Sequence, residues 1–222
     1  MMNISPAWFE QGHKVCSYFN IEIDWLLAQT EDHLLKILAH LKTGIVLEWL
    51  RKCSLSYALI GGILSVVQPE LFESSQEAFR QLAVDPNASD DLQSLMEILA
   101  TWYAPFSALA VISNWSTPLH CNTGGRPEWL DFILALGNYD HSQFAVPAFR
   151  YTFKYNPGML IAFSGKIFQH RAECTGDWAC IVFYMCDNVL NRLGICAGSW
   201  FQAIHKDNLH WEPDPVDPAC RI

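Results

Sequence analysis

The chain has 222 residues, 51% of them hydrophobic and 13% aromatic. That supplies a sizeable core, excludes global disorder, and suits one domain with an elaborated end. Fourteen Lys and Arg against 23 Asp and Glu give a net charge of −9, which excludes a general electrostatic grip on nucleic acid and leaves room only for a local basic groove.

The residues after Met1 show no signal-peptide pattern. The first hundred residues read as helical. Thr30-Glu31-Asp32 opens a segment with Leu34, Leu35, Ile37, Leu38 and Leu41 at helical spacing, ended by Gly44. Ala58 to Val67 is the most apolar stretch; at about half a membrane span, with Gly61, Gly62 and Ser65 inside it, it reads as a buried helix. Pro69-Glu70 starts the next helix, through Leu71, Phe72, Ala78, Phe79 and Leu82, stopping before Pro86. A loop at Asn87-Ala88-Ser89 leads to Asp90-Asp91, whose charges favour a helix N-terminus. Leu92, Leu95, Met96, Leu99 and Trp102 form that helix's apolar face.

At Ala104-Pro105 the pattern changes to short strands between turn residues. Strands are expected at 107–113, 130–136, 151–155, 159–163, 167–169 and 179–185. Loops are expected at Asn122-Thr123-Gly124-Gly125-Arg126-Pro127 and Asn156-Pro157-Gly158. Many short strands at regular spacing suggest a sandwich or jelly roll. The division is a helical extension over 1–103, a strand-rich core over 104–199, and an extended tail over 200–222 that contains Pro213, Pro215 and Pro218. The eight cysteines are irregularly spaced and form no C-x-x-C pair. They read as reduced thiols of a nuclear or cytoplasmic protein with no membrane partner.

One constellation points to chemistry. His120 ends an apolar strand, Asn122 follows two residues later, and His170 lies at another strand end. Two histidines from different strands with an oxygen donor beside one of them is the layout of a facial site for non-haem iron. His205, His210, Cys196 and Cys220 match no closed zinc pattern. Cys121 has no visible triad partner. No P-loop or Rossmann glycine motif is present.

The run Ile112-Ser113-Asn114-Trp115-Ser116-Thr117-Pro118-Leu119-His120 is followed by Arg126-Pro127-Glu128-Trp129-Leu130-Asp131, then by Tyr155-Asn156-Pro157-Gly158 and Ser164-Gly165-Lys166. Gly176-Asp177 and Tyr184-Met185-Cys186-Asp187-Asn188-Val189 complete the series. In order and spacing, over roughly residues 65–195, it resembles the fungal TET/JBP-like dioxygenases, which use Fe(II), oxygen and 2-oxoglutarate. The resemblance implies an α+β fold with a double-stranded β-helix (jelly-roll) core and an N-terminal helical extension. It implies oxidation of 5-methylcytosine or a related base of DNA or RNA, flipped out of its stack. His120, Asn122 and His170 fall at the metal positions. Trp178, with Cys180 beyond it, falls where the 2-oxoglutarate arginine is expected. Tyr184 falls where an aromatic residue meets the flipped base.

Two positions depart from the family pattern. Asn122 stands for the metal aspartate, so a neutral amide replaces an anionic oxygen donor. Trp178 stands for the arginine, and an indole cannot make its charged bidentate pair with a carboxylate. Arg171, Lys166 and Arg192 are the cations available as substitutes. Trp115, Cys121, Trp178 and Cys186 all stand where arginine is common in the family, as single C-to-T changes in arginine codons would leave them. Two functions therefore stand side by side: a base oxidase of the 5-methylcytosine type, and a decayed homologue that keeps the fold as a binding or structural protein.

Overall fold

The computed structural model describes residues 2–4, 44–89, 91–114, 116–122 and 124–196. The helical segment expected around Thr30 to Leu41, the tail after residue 199, and His205, His210 and Cys220 lie outside the described residues.

Among the described residues four helices come before residue 108: α1 (Gly44–Lys52), α2 (Ser54–Val67), α3 (Pro69–Val84) and α4 (Leu92–Leu99). Gly44 thus begins a helix rather than merely following one. Pro69 sits in the first turn of α3, where its missing N–H costs nothing. Asp91 caps α4 through a hydrogen bond from the Ser94 N–H. The expectation that 58–67 is fully buried is corrected. Ile60, Gly61 and Leu64 are buried, but Leu59 is 66% and Val66 59% exposed, so α2 has a buried face and an open one. No single helix among the described residues is long and apolar enough to cross a membrane.

The strands are β1 (Met2–Ile4), β2 (Ala108–Ser113), β3 (Thr117–His120), β4 (Asp131–Val146), β5 (Tyr151–Lys154), β6 (Leu160–Phe163) and β7 (His170–Tyr184), followed by α5 (Asp187–Arg192). All the pairings are antiparallel. The expected strands at 130–136 and 179–185 are only the outer halves of β4 and β7, and 167–169 is a turn rather than a strand. Turn-prone residues such as Gly137-Asn138 and Gly176 are carried inside these long strands.

Those glycines shape the fold. Gly137 has φ +126° and Gly176 φ +110°, both in the region that favours glycine. The β4–β7 register shifts between Asn138 and His141, so the long ladder bends there. On one side of the bend the order is β2–β7–β4–β6; on the other it is β3–β7–β4–β5. Two halves sharing one bent pair of long strands, with β1 added at the β2 edge of the first, make the double-stranded β-helix, and the class is α+β.

Alternation along β7 assigns its two faces. Ile181 and Phe183 join the cluster with Leu64, Leu71, Leu95 and Phe106, so this face packs against the helices. Ala172, Trp178 and Cys180 join Ile133, Tyr139, Phe144, Tyr155 and Phe163 in a second cluster between the halves. His170 shares the parity of the second set.

Candidate functional site

His120 is the last residue of β3 and His170 the first of β7, and they are direct partners in the ladder. Partners across an antiparallel pair point to the same face. The two imidazoles accordingly lie with ring centroids 4.3 Å apart. His120 Nδ1 lies 2.7 Å from the Pro118 carbonyl oxygen, and His170 Nδ1 lies 3.0 Å from that of Phe168. A carbonyl only accepts, so each Nδ1 carries a hydrogen. In the neutral ring that arrangement leaves Nε2 as the nitrogen able to bind a metal.

The two rings differ in surroundings. His120 is half-buried, whereas His170 is buried against Phe144 at 5.7 Å and the edge of Phe163 at 4.8 Å. Desolvation, with a smaller contribution from neighbouring His120, pushes the His170 pKa down to about 4. It is therefore a neutral imidazole at pH 7.

Asn122 lies two residues beyond His120. Its backbone N–H donates to the Gly165 carbonyl at 2.8 Å, and its Nδ2 donates to Asp131 Oδ2 at 2.7 Å. Asp131 is 5% exposed. Burial raises its pKa to about 6, opposed by the bonds from Asn122 and from the Gly165 backbone. A Cβ at Gly165 would run into the Asn122 amide nitrogen and come within 2.6 Å of Asp131 Oδ2. Asn122, Asp131 and Gly165 therefore form one close-packed unit.

The chain ahead of Asp131 is fixed by bonds from several directions. The buried Gln68 amide donates to the Glu128 carbonyl and accepts from the Leu130 N–H. Ser164 donates to the Pro127 carbonyl at 2.6 Å. Arg126 pairs with Asp187, donates to Asn191, and lies 5.4 Å from the Trp129 ring. Asp131 was not singled out as functional from sequence. Its signal was a single carboxylate among the apolar residues of the expected strand at 130–136.

Trp178 and Cys180 are each 3% exposed and belong to the apolar cluster between the sheet halves. Desolvation pushes the Cys180 thiol up to about 12, so it is a neutral thiol. Tyr184, half-buried, shares their strand parity; burial, then Cys186 and Asp131, raise its hydroxyl pKa. Of the candidate substitutes for the arginine, Arg171 is on the opposite face of β7 and pairs with Glu173 at 3.3 Å. Arg192 is exposed in the last turn of α5, and Lys166 lies in the turn after β6. Cys53, Cys121, Cys174, Cys180, Cys186 and Cys196 are free thiols.

The fit to iron and to 2-oxoglutarate differs. The histidine pair, with ring centroids 4.3 Å apart, offers two imidazole donors to a divalent metal. Among the described residues, no group of three or more His, Cys, Asp or Glu is placed to hold a metal ion. The co-substrate position does not fit a dicarboxylate: a buried indole and a neutral thiol offer no charge to pair with it.

A family model described as the oxygenase domain of the 2OGFeDO superfamily, Tet_JBP, matches residues 43–186. No curated protein matches. Among solved structures, NgTET1 in complex with 5mC DNA aligns over 70% of this chain and 57% of that chain, with a TM-score of 0.48 and 14% sequence identity. The chain thus spans less than two thirds of that protein's length.

Proposed function

The chain belongs to the Tet_JBP family of oxygenase domains, and from that premise we propose that it is a decayed member, one that keeps a two-histidine metal site but no longer runs 2-oxoglutarate-dependent oxidation. The observation that carries this reading is the pair Trp178 and Cys180, buried in an apolar cluster at the position assigned to the co-substrate arginine. Burying a carboxylate there without a cationic partner costs several kcal/mol, on the order of what such a small ligand gains by binding. Asn122 adds to it, because its amide nitrogen is committed to Asp131.

The ligand class we assign is a modified base of DNA or RNA, met locally by the half-buried ring of Tyr184. The net charge of −9 leaves any such contact without a broad electrostatic component. The role is then one of binding rather than oxidation.

The full chain, incubated with Fe(II), 2-oxoglutarate, ascorbate and a 5-methylcytosine oligonucleotide, should release no succinate above the protein-free control. Repeated turnover would refute the reading and would require a cation inside the barrel that the described residues do not supply.

A further inference from the structure

We propose that the outer face of the sheet half that carries the histidine pair holds a phosphate-binding groove, in which Arg150 and Arg171 grip the backbone of a single nucleic-acid strand. The inference rests on the base-binding reading above and names the surface that holds the strand.

The groove follows from strand alternation. His170 and Arg171 are consecutive in β7, so their side chains leave opposite faces of the sheet. In the ladder Arg171 stands opposite Ala145 on β4, and Ala145 stands opposite Thr152 on β5. The three form one cross-strand row on the outer face. Ala145 is its short middle member, so the row is hollow at the centre. Arg150 follows the 3-10 turn Pro147–Phe149 and also faces the hollow. The result is a groove of about 360 Å³, with Ala145, Arg150, Tyr151, Thr152 and Arg171 in its lining. That is within the size range of small-ligand sites.

Charge selects the occupant. The chain carries 23 acidic against 14 basic residues, yet two arginines and no acid line this groove. Arg171 pairs with Glu173 at 3.3 Å, but both side chains are about half exposed. An exposed pair of this kind is weak enough to give way to a phosphate. The planar fork of arginine matches two phosphate oxygens, and Thr152 adds a hydroxyl donor. Tyr151 is 58% exposed, its ring centroid 4.7 Å from that of Phe153, and offers a surface on which a base can stack. Cations for a backbone beside a ring for a base suit a single strand better than an acidic peptide.

The backbone at Arg150 is an independent pointer. Its φ is +52°, in the left-handed region, which glycine or asparagine fills at lower cost. A non-glycine residue kept in such a conformation is a mark of functional sites, and here it fixes the direction in which an exposed arginine leaves the turn.

The test is fluorescence anisotropy of the metal-free full chain with a labelled, unmodified deoxythymidine oligonucleotide, over salt concentrations of about 50 to 200 mM. Arg150→Gln and Arg171→Gln should each weaken binding about fivefold at the lowest salt. Each should also flatten the slope of log Kd against log salt by about 0.7, the value for one phosphate contact on a single strand. Arg150→Lys should keep the parent's slope, and Tyr151→Ala should weaken binding at an unchanged slope. Arg51→Gln, which removes an exposed cation of α1, should bind as the parent does. Melting temperatures equal to the parent's show that the losses are not misfolding.

Parent affinity and slope in both glutamine variants overturn the proposal, and so does an equal loss in Arg51→Gln. Displacement of the strand by polyglutamate at equal charge concentration also overturns it, since it shows a patch for any polyanion. Binding that is lost in Tyr184→Ala and kept in both arginine variants overturns the groove and leaves the base-binding reading standing. A parent that binds neither this strand nor one carrying 5-methylcytosine overturns both.

Discussion

Gly137→Ala should destabilise the protein by about 3 kcal/mol or more, while Gly158→Ala costs only about 1 kcal/mol, in urea unfolding at neutral pH. Both glycines have positive φ, +126° and +85°, so backbone strain alone does not separate them. Their surroundings do. Nothing lies within 4 Å of a Cβ built at Gly158, whereas one at Gly137 would run into the Asp177 carbonyl and come within 2.8 Å of Trp178 Cα. These are backbone atoms of the paired strand, since Gly137 opposes Trp178 in the ladder, so relief requires β4 and β7 to part. The bend there carries one half of the sheet onto the other, and the site depends on it. Equal losses at the two positions would mean that the bend does not depend on this close approach.

The second large effect is on the pH dependence of stability, where His170 and Asp131 act in opposite directions. The folded pKa of His170 is about 4, below its ordinary value of 6.5. Between those values the unfolded chain binds the extra proton, so stability is complete above about pH 6.5 and falls toward pH 4. Asp131 has a folded pKa of about 6, above its ordinary value of 3.8. Between those values the folded chain binds the extra proton, so its contribution is complete below about pH 3.8 and is lost as pH rises through 6. Each amounts to about 3 kcal/mol, and from pH 6.5 down to pH 4 the two largely cancel. Removing one should expose the other. Relative to the parent, Asp131→Asn should lose stability on acidification, and His170→Gln should gain it, by about 2–3 kcal/mol each. Parallel pH profiles for all three proteins would contradict these pKa assignments.

Particular residues show how far the sequence could be read. The histidine pair was legible because His120 and His170 stand at strand ends within a recognisable series of motifs, and the ladder sets them directly opposite each other. The helices of residues 69–84 and 92–99 were legible from Pro69, Asp91 and their apolar spacing. The lengths of β4 and β7 were not. Gly137-Asn138 and Gly176 are turn residues by local chemistry, and only the paired strand shows that they bend a continuous ladder. The helix α5 was missed because six residues are too few for a periodic pattern. At the site, Asn122 was legible as a departure, but its partner was not. Asp131 is nine residues away, and nothing short of the folded loop ahead of β4 brings the two together.

The proposed decayed site, a metal-binding histidine pair in an interior that offers 2-oxoglutarate no cationic partner, is tested most directly by the visible absorption spectrum of the Co(II)-loaded protein, recorded anaerobically before and after addition of millimolar 2-oxoglutarate. The expected result is a histidine-dependent Co(II) spectrum that 2-oxoglutarate leaves unchanged. A saturable spectral shift on adding 2-oxoglutarate, abolished in His120→Ala, would show that the co-substrate still binds at the metal and would contradict it.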